Sequence, residues 1–191
     1  VRASLARFRV HMDTFFSERS LHESGELQAA IDRLEHVYEH DGALWMRTTA
    51  YGDDKDRVLR RSNGEWTYYA SDIAYHVHKI TRDYDRAIDV WGADHHGHIE
   101  RMRIAWQALG GDPEKFEIVI MQLVSLSEGG ERMKMSKRAG SIVTLDDLLE
   151  DIGVDAARWF LASRSHDSTL DLDLDLARSE SQDTPVYYVQ Y

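Results

Sequence analysis

The chain has 191 residues, with 23 basic and 34 acidic side chains, a formal net charge of −11 and no cysteine. The acidic balance argues against a general nucleic-acid-coating protein, which is usually basic, and the lack of cysteine excludes disulfides and thiolate metal sites. No apolar run approaches membrane-spanning length and no signal-peptide pattern is present. We therefore expect a soluble, cytoplasmic protein with one sizeable core.

The first forty residues predict one main helix. The alternation around Phe8 and Val10 is weakly strand-like, and a helical stripe follows it. Ser24 is the expected N-cap of the helix, and the turn Asp41-Gly42 is its expected end. The apolar stripe of this helix consists of Leu27, Ala30, Ile31, Leu34, Val37 and Tyr38.

Residues 43–70 predict a small β-rich insertion. Short apolar and aromatic runs alternate there with polar turns, of which Asn63-Gly64 is a hairpin signal. The predicted strands lie at 43–50, 57–60 and 66–70.

From residue 71 onward the pattern alternates between helices and strands. Ser71 or Asp72 is the expected N-cap of the first helix, and residues 87–91 and 118–124 are the expected buried strands. Such alternation favours a parallel α/β sheet, whose ligands bind beyond the carboxyl ends of the strands. Two loops, residues 92–98 and 129–141, follow predicted strands and are the candidate ligand-binding segments.

The last third of the chain predicts helices and one extended segment. Thr144 is the expected N-cap of a helix that Gly153 interrupts, and residues 170–176 alternate between leucine and aspartate. The sequence begins at Val1 without methionine and ends on an aromatic, apolar segment. We therefore expect it to be a piece of a longer chain.

The loop 129–141 carries three cations, Lys134, Lys137 and Arg138, around one hydroxyl, that of Ser136. Glycines at both ends give its backbone conformational freedom, and lysines on such a loop suit an anion whose charge is spread over several oxygens. It is either a phosphate clamp or an ordinary solvated turn. The string Lys134-Met135-Ser136-Lys137 resembles the second signature of class I aminoacyl-tRNA synthetases, which favours the clamp.

The loop 92–98 contains Asp94 and three histidines. A zinc site is one interpretation, although adjacent ligands converge poorly on one ion at a helix start. A second interpretation is that Gly92 allows close approach to the backbone while Asp94 accepts from a ribose hydroxyl pair. The third is a polar turn in which Asp94 caps the helix.

Several spaced segments, in order, resemble bacterial arginyl-tRNA synthetase over almost the whole chain. They are Ser17–His22, Thr67–His76, Val90–Gly97, Met133–Arg138 and Pro185–Tyr191. The resemblance implies a partial Rossmann-like nucleotide-binding fold, a parallel sheet with flanking helices, with the β-rich insertion and a helical C-terminal extension. It implies ATP-dependent activation of arginine to arginyl-adenylate and transfer to tRNA(Arg), with Mg²⁺ bound to the ATP, no metal held by the protein, no membrane partner and a monomeric parent enzyme.

The resemblance also implies roles for individual residues. Tyr68, Asp72 and His95 match positions that hold the substrate arginine, and the Asp72 carboxylate suits its guanidinium group. Lys134 and Lys137 match the lysines that stabilise the transferring phosphates, which makes them the expected catalytic residues. The expected ATP-binding set consists of Gly92, Asp94, Gln122, Met133, Lys134, Ser136 and Lys137.

The first family signature, His-Ile-Gly-His, is absent from this sequence. The expected domains are a connecting or insertion segment at 1–64, the second half of the nucleotide-binding fold with the lysine loop at 65–144, a helical stem-contact region at 145–178, and the start of the anticodon-binding domain at 179–191. We therefore expect a fragment that is inactive alone. The alternatives are a non-catalytic nucleotide- or RNA-binding module that reuses the half-fold, and a class I enzyme for another amino acid.

Overall fold

The computed structural model describes residues 1–133, 143–179, 181 and 184–190. The chain divides into two units, one formed by Phe15–Val119 and the other by Val1–Thr14 together with Ile120–Tyr191. The helices in the described residues are α1 (Arg2–Arg7), α2 (Glu18–Glu23), α3 (Glu26–Ile31), α4 (Tyr68–Thr81), α5 (Ile99–Ala108), α6 (Leu145–Ala162), α7 (Leu174–Arg178) and α8 (Pro185–Gln190). The strands are β1 (Val37–His40), β2 (Ala43–Met46), β3 (Arg57–Arg60), β4 (Ala87–Gly92), β5 (Phe116–Met121), β6 (Val124–Glu128), β7 (Glu131–Arg132) and β8 (Leu170–Asp173).

The prediction of one helix from Leu27 to Tyr38 is wrong. Helix α3 ends at Ile31, and Val37 and Tyr38 lie in β1, where they pair with Met46 and Trp45 of β2. The turn between these strands is Asp41-Gly42, whose φ angles of 48° and 72° are both left-handed. Two left-handed residues match the right-handed twist of a hairpin, so this turn specifies β1–β2 pairing and the helical stripe ends early.

The β-rich section contains β2 and β3 as predicted, but the expected third strand at 66–70 is wrong. Trp66 makes only an isolated bridge to Arg60, and helix α4 begins at Tyr68. Thr67 is the N-cap: its hydroxyl accepts from the amide of Ala70 and donates to the carbonyl of Leu59. The expected caps, Ser71 and Asp72, therefore lie inside the first turn and a half of the helix.

The remainder of the first unit follows the predicted order of helix, strand, helix and strand. Helix α4, β4, a 3-10 segment at Ala93–His98, α5 and β5 succeed one another, and β4 pairs with β5. The elements of this unit enclose one apolar cluster, whose fully buried members include Leu21, Leu27, Ile31, Met46, Leu59, Ile73 and Met102.

The predicted strand 118–124 is two strands rather than one. Strand β5 ends at Met121 and β6 begins at Val124, so Gln122 and Leu123 form a junction. Strand β6 pairs in parallel with β8 and antiparallel with β7, and Gly129-Gly130 forms the β6–β7 turn with φ angles of 60° and 77°. These glycines therefore belong to a hairpin turn, and the predicted single loop from residue 129 onward is wrong at its start.

The second unit is built around helix α6. Thr144 and Asp147 form a capping box at its start, and Gly153 interrupts it with φ 78° and ψ 163°, both as predicted. The strand-like pattern near Phe8 and Val10 follows a helix instead, since α1 packs on α6 with Ser4 Oγ donating to Asp146 at 2.6 Å.

The fold is thus a mixed α/β structure with a parallel strand pair and flanking helices. The described residues contain no helix that is long and apolar enough to cross a membrane.

Candidate active site

The start of helix α4 presents two of the predicted arginine-binding side chains. Thr67 fixes the helix start to β3, so Tyr68 is the first helical residue and Asp72 stands one turn later. Residues four apart lie on the same face of a helix. Tyr68 is 83% exposed, whereas the next residue, Tyr69, is buried and donates to the carbonyl of Arg101.

Two adjoining cavities lie along this face. The larger, of about 550 Å³, is lined by residues that include Glu18, His22, Trp66, Tyr68 and Ser71. The smaller, of about 190 Å³, is lined by Phe16, Glu18, Leu21, Ser71, Asp72 and Tyr75. Glu18 and Ser71 line both cavities, so the larger one, which contains Tyr68, adjoins the smaller one, which contains Asp72.

The carboxyl of Asp72 is set in an unfavourable environment for a lone negative charge. Burial raises the pKa of Asp72 to about 6 against the opposing effect of Lys79, and the nearby carboxylate of Glu18 adds to the rise. Asp72 as a residue is nevertheless exposed to solvent, so the burial acts on its carboxyl from one side and a ligand has access from the other. A carboxylate destabilised by desolvation and by a like charge is stabilised when a cation binds beside it.

Glu18 is the functional candidate that the sequence interpretation missed. It lies at the first position of α2, and its Oε1 is 3.8 Å from His22 Nε2. The ring of His22 in turn lies 3.3 Å from the hydroxyl of Ser71 on α4. The sequence places Glu18 in a segment that carries the family resemblance, but nothing in its spacing pairs it with the distant Asp72.

The other predicted segment of this unit follows β4. A Cβ atom on Gly92 would come within 2.6 Å of Asp94 Oδ1, so the Asp94 carboxyl folds back over the glycine. Both Asp94 and His95 are exposed, with His95 Nε2 at 3.6 Å from Asp94 Oδ2. An exposed carboxylate above an open backbone is suited to accept hydrogen bonds from a pair of hydroxyls.

Metal binding by this histidine-rich loop gains no support from its geometry. Among the described residues, the histidine and carboxylate side chains form no group of three or more that could hold a metal ion.

The remaining predicted ATP-binding residues belong to the second unit or lie outside the described residues. Gln122 is half-buried at the β5–β6 junction, and its main-chain N–H donates to the main-chain carbonyl of His166 at 2.8 Å. Met133 follows β7, donates from its amide to the carbonyl of Leu126 and packs against the core of that unit. Lys134, Ser136 and Lys137 lie outside the described residues.

Comparisons with known proteins give one family. The family model described as "tRNA synthetases class I (R), catalytic domain" matches residues 5–180. The arginine–tRNA ligases of Carboxydothermus hydrogenoformans and Shouchella clausii are 54% and 55% identical to this chain over 194 aligned residues, which cover 100% of it and 35% of each relative. The chain therefore spans about a third of the length of the curated relatives that it matches.

Solved structures agree with this match. A crystal structure from Campylobacter jejuni that is assigned as an arginyl-tRNA synthetase has a TM-score of 0.89 and 38% identity, covering 100% of this chain and 42% of that one. The Thermus thermophilus arginyl-tRNA synthetase has a TM-score of 0.77, covering 99% of this chain and 42% of its own, and its 23% identity supports a likeness of fold alone.

Proposed function

Because the chain belongs to the class I tRNA synthetase (R) catalytic-domain family, we propose that it is the later part of the catalytic domain of an arginine–tRNA ligase. In the full-length enzyme this part would help to activate arginine with ATP and to transfer it to tRNA(Arg). The observation that carries the proposal is the face of α4, where Tyr68 and Asp72 border two adjoining cavities that share Glu18.

Arginine recognition is assigned to this face. The guanidinium group is planar and permanently charged, with donors arranged to match a carboxylate bidentately. Asp72 supplies one carboxylate and Glu18 a second. The pKa of Asp72 is raised first by burial and further by the Glu18 carboxylate, and a bound cation would offset both effects. Tyr68 offers its exposed ring and hydroxyl beside them, and His95 is assigned to the amino-acid side of the same site.

ATP recognition is assigned to the residues that match the ATP-binding positions of the family. Asp94 would accept from the ribose hydroxyls while Gly92 leaves space for the approach. Gln122 and Met133 are assigned to the adenine, and Lys134, Ser136 and Lys137 to the phosphates, with Lys134 and Lys137 as the catalytic pair. These roles follow from the family resemblance.

The reaction requires no protein nucleophile. A carboxylate oxygen of arginine attacks the α-phosphorus in line, the bond to the bridging oxygen breaks, and pyrophosphate leaves. Catalysis is then mainly positioning and charge stabilisation. Mg²⁺ enters as an ion carried on the phosphate oxygens of ATP, and it neutralises charge there.

The finer architecture is part of the same proposal. We assign residues 65–144 to the second half of a Rossmann-like nucleotide-binding fold, residues 1–64 to a connecting segment, residues 145–178 to a stem-contact region, and residues 179–191 to the start of an anticodon-binding domain. The parent enzyme is proposed to be monomeric.

The test uses a completed enzyme, defined as the C. hydrogenoformans ligase in which this chain replaces the matching third of the sequence. We expect arginine-dependent ATP–pyrophosphate exchange, with cognate tRNA present, in the completed enzyme and not in the isolated chain. Thermal melting and circular dichroism that match the unmodified ligase establish that the completed enzyme is folded.

Three outcomes would contradict the proposal. A folded completed enzyme without exchange overturns it, and exchange with another amino acid in place of arginine overturns the assignment of Asp72. Saturable ATP binding by the isolated chain, together with inactivity of the folded completed enzyme, would instead indicate a non-catalytic nucleotide-binding module.

A further inference from the structure

The loop between α6 and β8, residues 163–169, is a structured turn. The amide of Ser168 donates to the carbonyl of Ser165 at 3.1 Å, and the hydroxyl of Ser165 donates to Asp167 Oδ1 at 2.5 Å. This hydroxyl hydrogen bond holds the pKa of Asp167 below its usual value. The turn therefore holds His166, its second residue, in a defined position.

His166 makes two hydrogen bonds to the end of β5, within the same structural unit. Its main-chain carbonyl accepts from the main-chain N–H of Gln122 at 2.8 Å. Its Nδ1 lies 3.0 Å from the carbonyl oxygen of Ile120, and because a carbonyl only accepts, Nδ1 carries the proton and donates.

These two bonds reproduce the pattern of a parallel strand bridge opposite Met121. In such a bridge one residue accepts from the amide that follows its partner and donates its own amide to the carbonyl that precedes it. Here the imidazole Nδ1–H takes the place of the main-chain donor. The side chain of His166 thus makes a bridge-like contact that precedes the β6–β8 pairing, which begins at Val124 and Leu170.

We infer that His166 is a positioning residue for ATP, acting through Gln122. The two hydrogen bonds fix the main chain on both sides of Met121, and hence the point from which the Gln122 side chain leaves the β5–β6 junction. This inference rests on the proposed function, in which Gln122 contacts the adenine. His166 itself need not touch the nucleotide, since its effect passes through the main chain of residues 120–122.

The test compares three variants of the completed enzyme. His166→Ala removes the donor to Ile120 and is expected to raise the KM for ATP about fivefold to tenfold, the effect of one lost hydrogen bond that orders the site. The KM for arginine is expected to stay within about twofold, because its proposed ligands lie on α4 and α2. His166→Asn places an amide donor near the position of Nδ1 and is expected to restore most of the affinity for ATP.

Ser168→Ala is the matched control on the same turn, since its hydroxyl makes only a long contact of 3.5 Å to Asp167. An unchanged KM for ATP in His166→Ala, or equal effects in His166→Ala and Ser168→Ala, would overturn the inference. A similar rise in the KM values for ATP and arginine would also overturn it, since that result indicates general loss of structure. If the completed enzyme before mutation lacks arginine-dependent exchange, the proposed function fails instead, so the two failures are distinguishable.

Discussion

Lys79 Nζ lies 2.6 Å from Asp89 Oδ1 and 2.7 Å from Asp89 Oδ2, and both side chains are largely buried at 15% and 11% exposure. This ion pair joins the last turn of α4 to the middle of β4. It therefore connects the helix that carries Tyr68 and Asp72 to the strand that leads into Gly92 and Asp94.

Replacing Lys79 by methionine should destabilise the chain by about 3 kcal/mol, because it leaves the Asp89 carboxylate unpaired in a poorly solvated place. The measurement is urea unfolding at pH 7, followed by tryptophan fluorescence. The double variant Lys79→Met with Asp89→Leu should recover most of the loss, since it removes both charges. Equal stability of the single variant and the wild type would show that Asp89 is adequately solvated without its partner.

Arginine binding should depend on pH through Asp72. Its pKa of about 6 in the free protein means that protons compete with the guanidinium group on the acid side of that value. We expect the KM for arginine in the completed enzyme to rise about tenfold between pH 7.5 and pH 5, as the ionised fraction falls. Asp72→Asn should bind arginine weakly and without this pH dependence. A wild-type profile that is flat over this range would exclude Asp72 as the titrating ligand.

Glu18→Gln should raise the KM for arginine about tenfold and leave the KM for ATP unchanged, because it removes one charged partner of the guanidinium while keeping the shape of the side chain. The matched control is Glu23→Gln at the other end of α2, which is exposed. Steady-state exchange kinetics separate the two substrates. Identical effects of the two substitutions would mean that Glu18 acts through overall charge rather than through contact.

Gly92→Ala should weaken ATP binding about tenfold without lowering stability. The backbone at Gly92, with φ −70° and ψ 154°, suits any residue, but the added Cβ would meet Asp94 Oδ1 at 2.6 Å and displace that carboxyl. Gly97→Ala is the control in the same segment, because no atom lies within 4 Å of a Cβ built there. If both alanines have the same KM for ATP as the wild type, Asp94 is not a ribose ligand.

His76→Phe should stabilise the chain by about 1 kcal/mol at pH 7. Both ring nitrogens of His76 are buried and make no hydrogen bond to the described residues, and the ring packs edge-on against Trp106 and Phe116. The change removes two unsatisfied polar atoms and keeps the ring. His76→Leu, which is less bulky, guards against overpacking. Loss of stability in both variants would indicate that water satisfies the imidazole.

The free energy of unfolding of His76→Phe should be less sensitive to acid than that of the wild type. Burial lowers the pKa of His76 from 6.5 to about 3, so the unfolded chain takes up this proton before the folded chain does. Above pH 6.5 the imidazole is neutral in both states and does not reduce the free energy of unfolding. As the pH falls from 6.5 toward 3, only the unfolded chain binds the proton, so the folded state loses stability. The gain of His76→Phe over the wild type should therefore grow between pH 7 and pH 5, as measured by urea midpoints.

The sequence predicts elements well where one local signal dominates. Thr144 with Asp147, the interruption at Gly153 and strand β3 are each determined by chemistry within a few residues. Prediction from the sequence fails where contacts between distant residues determine the local structure. Val37 and Tyr38 continue a helical period, but the pairing with Met46 and Trp45 outweighs it. Thr67 caps α4 because β3 supplies the carbonyls that hold its hydroxyl.

The candidate site shows the same difference between local signals and contacts of distant residues. Gly92 and Asp94 lie within one short loop, so the sequence alone is enough to propose them as candidates. Glu18 becomes a candidate only because α2 and α4 pack together and bring it to the cavities beside Tyr68 and Asp72. His166 is similar, since its contact with Ile120 joins residues 46 positions apart.

The unit formed by Phe15–Val119 is inserted between the two parts of the other unit. Ser4, in the first part of that other unit, hydrogen-bonds Asp146, which lies 142 positions further along the chain. During synthesis the inserted unit can therefore fold as soon as its own residues emerge, while α1 must wait for α6. The proposed arginine-binding face can thus fold before the proposed adenine-binding face during synthesis. Mutations in α1 should delay only the folding of the unit that contains the adenine-binding face.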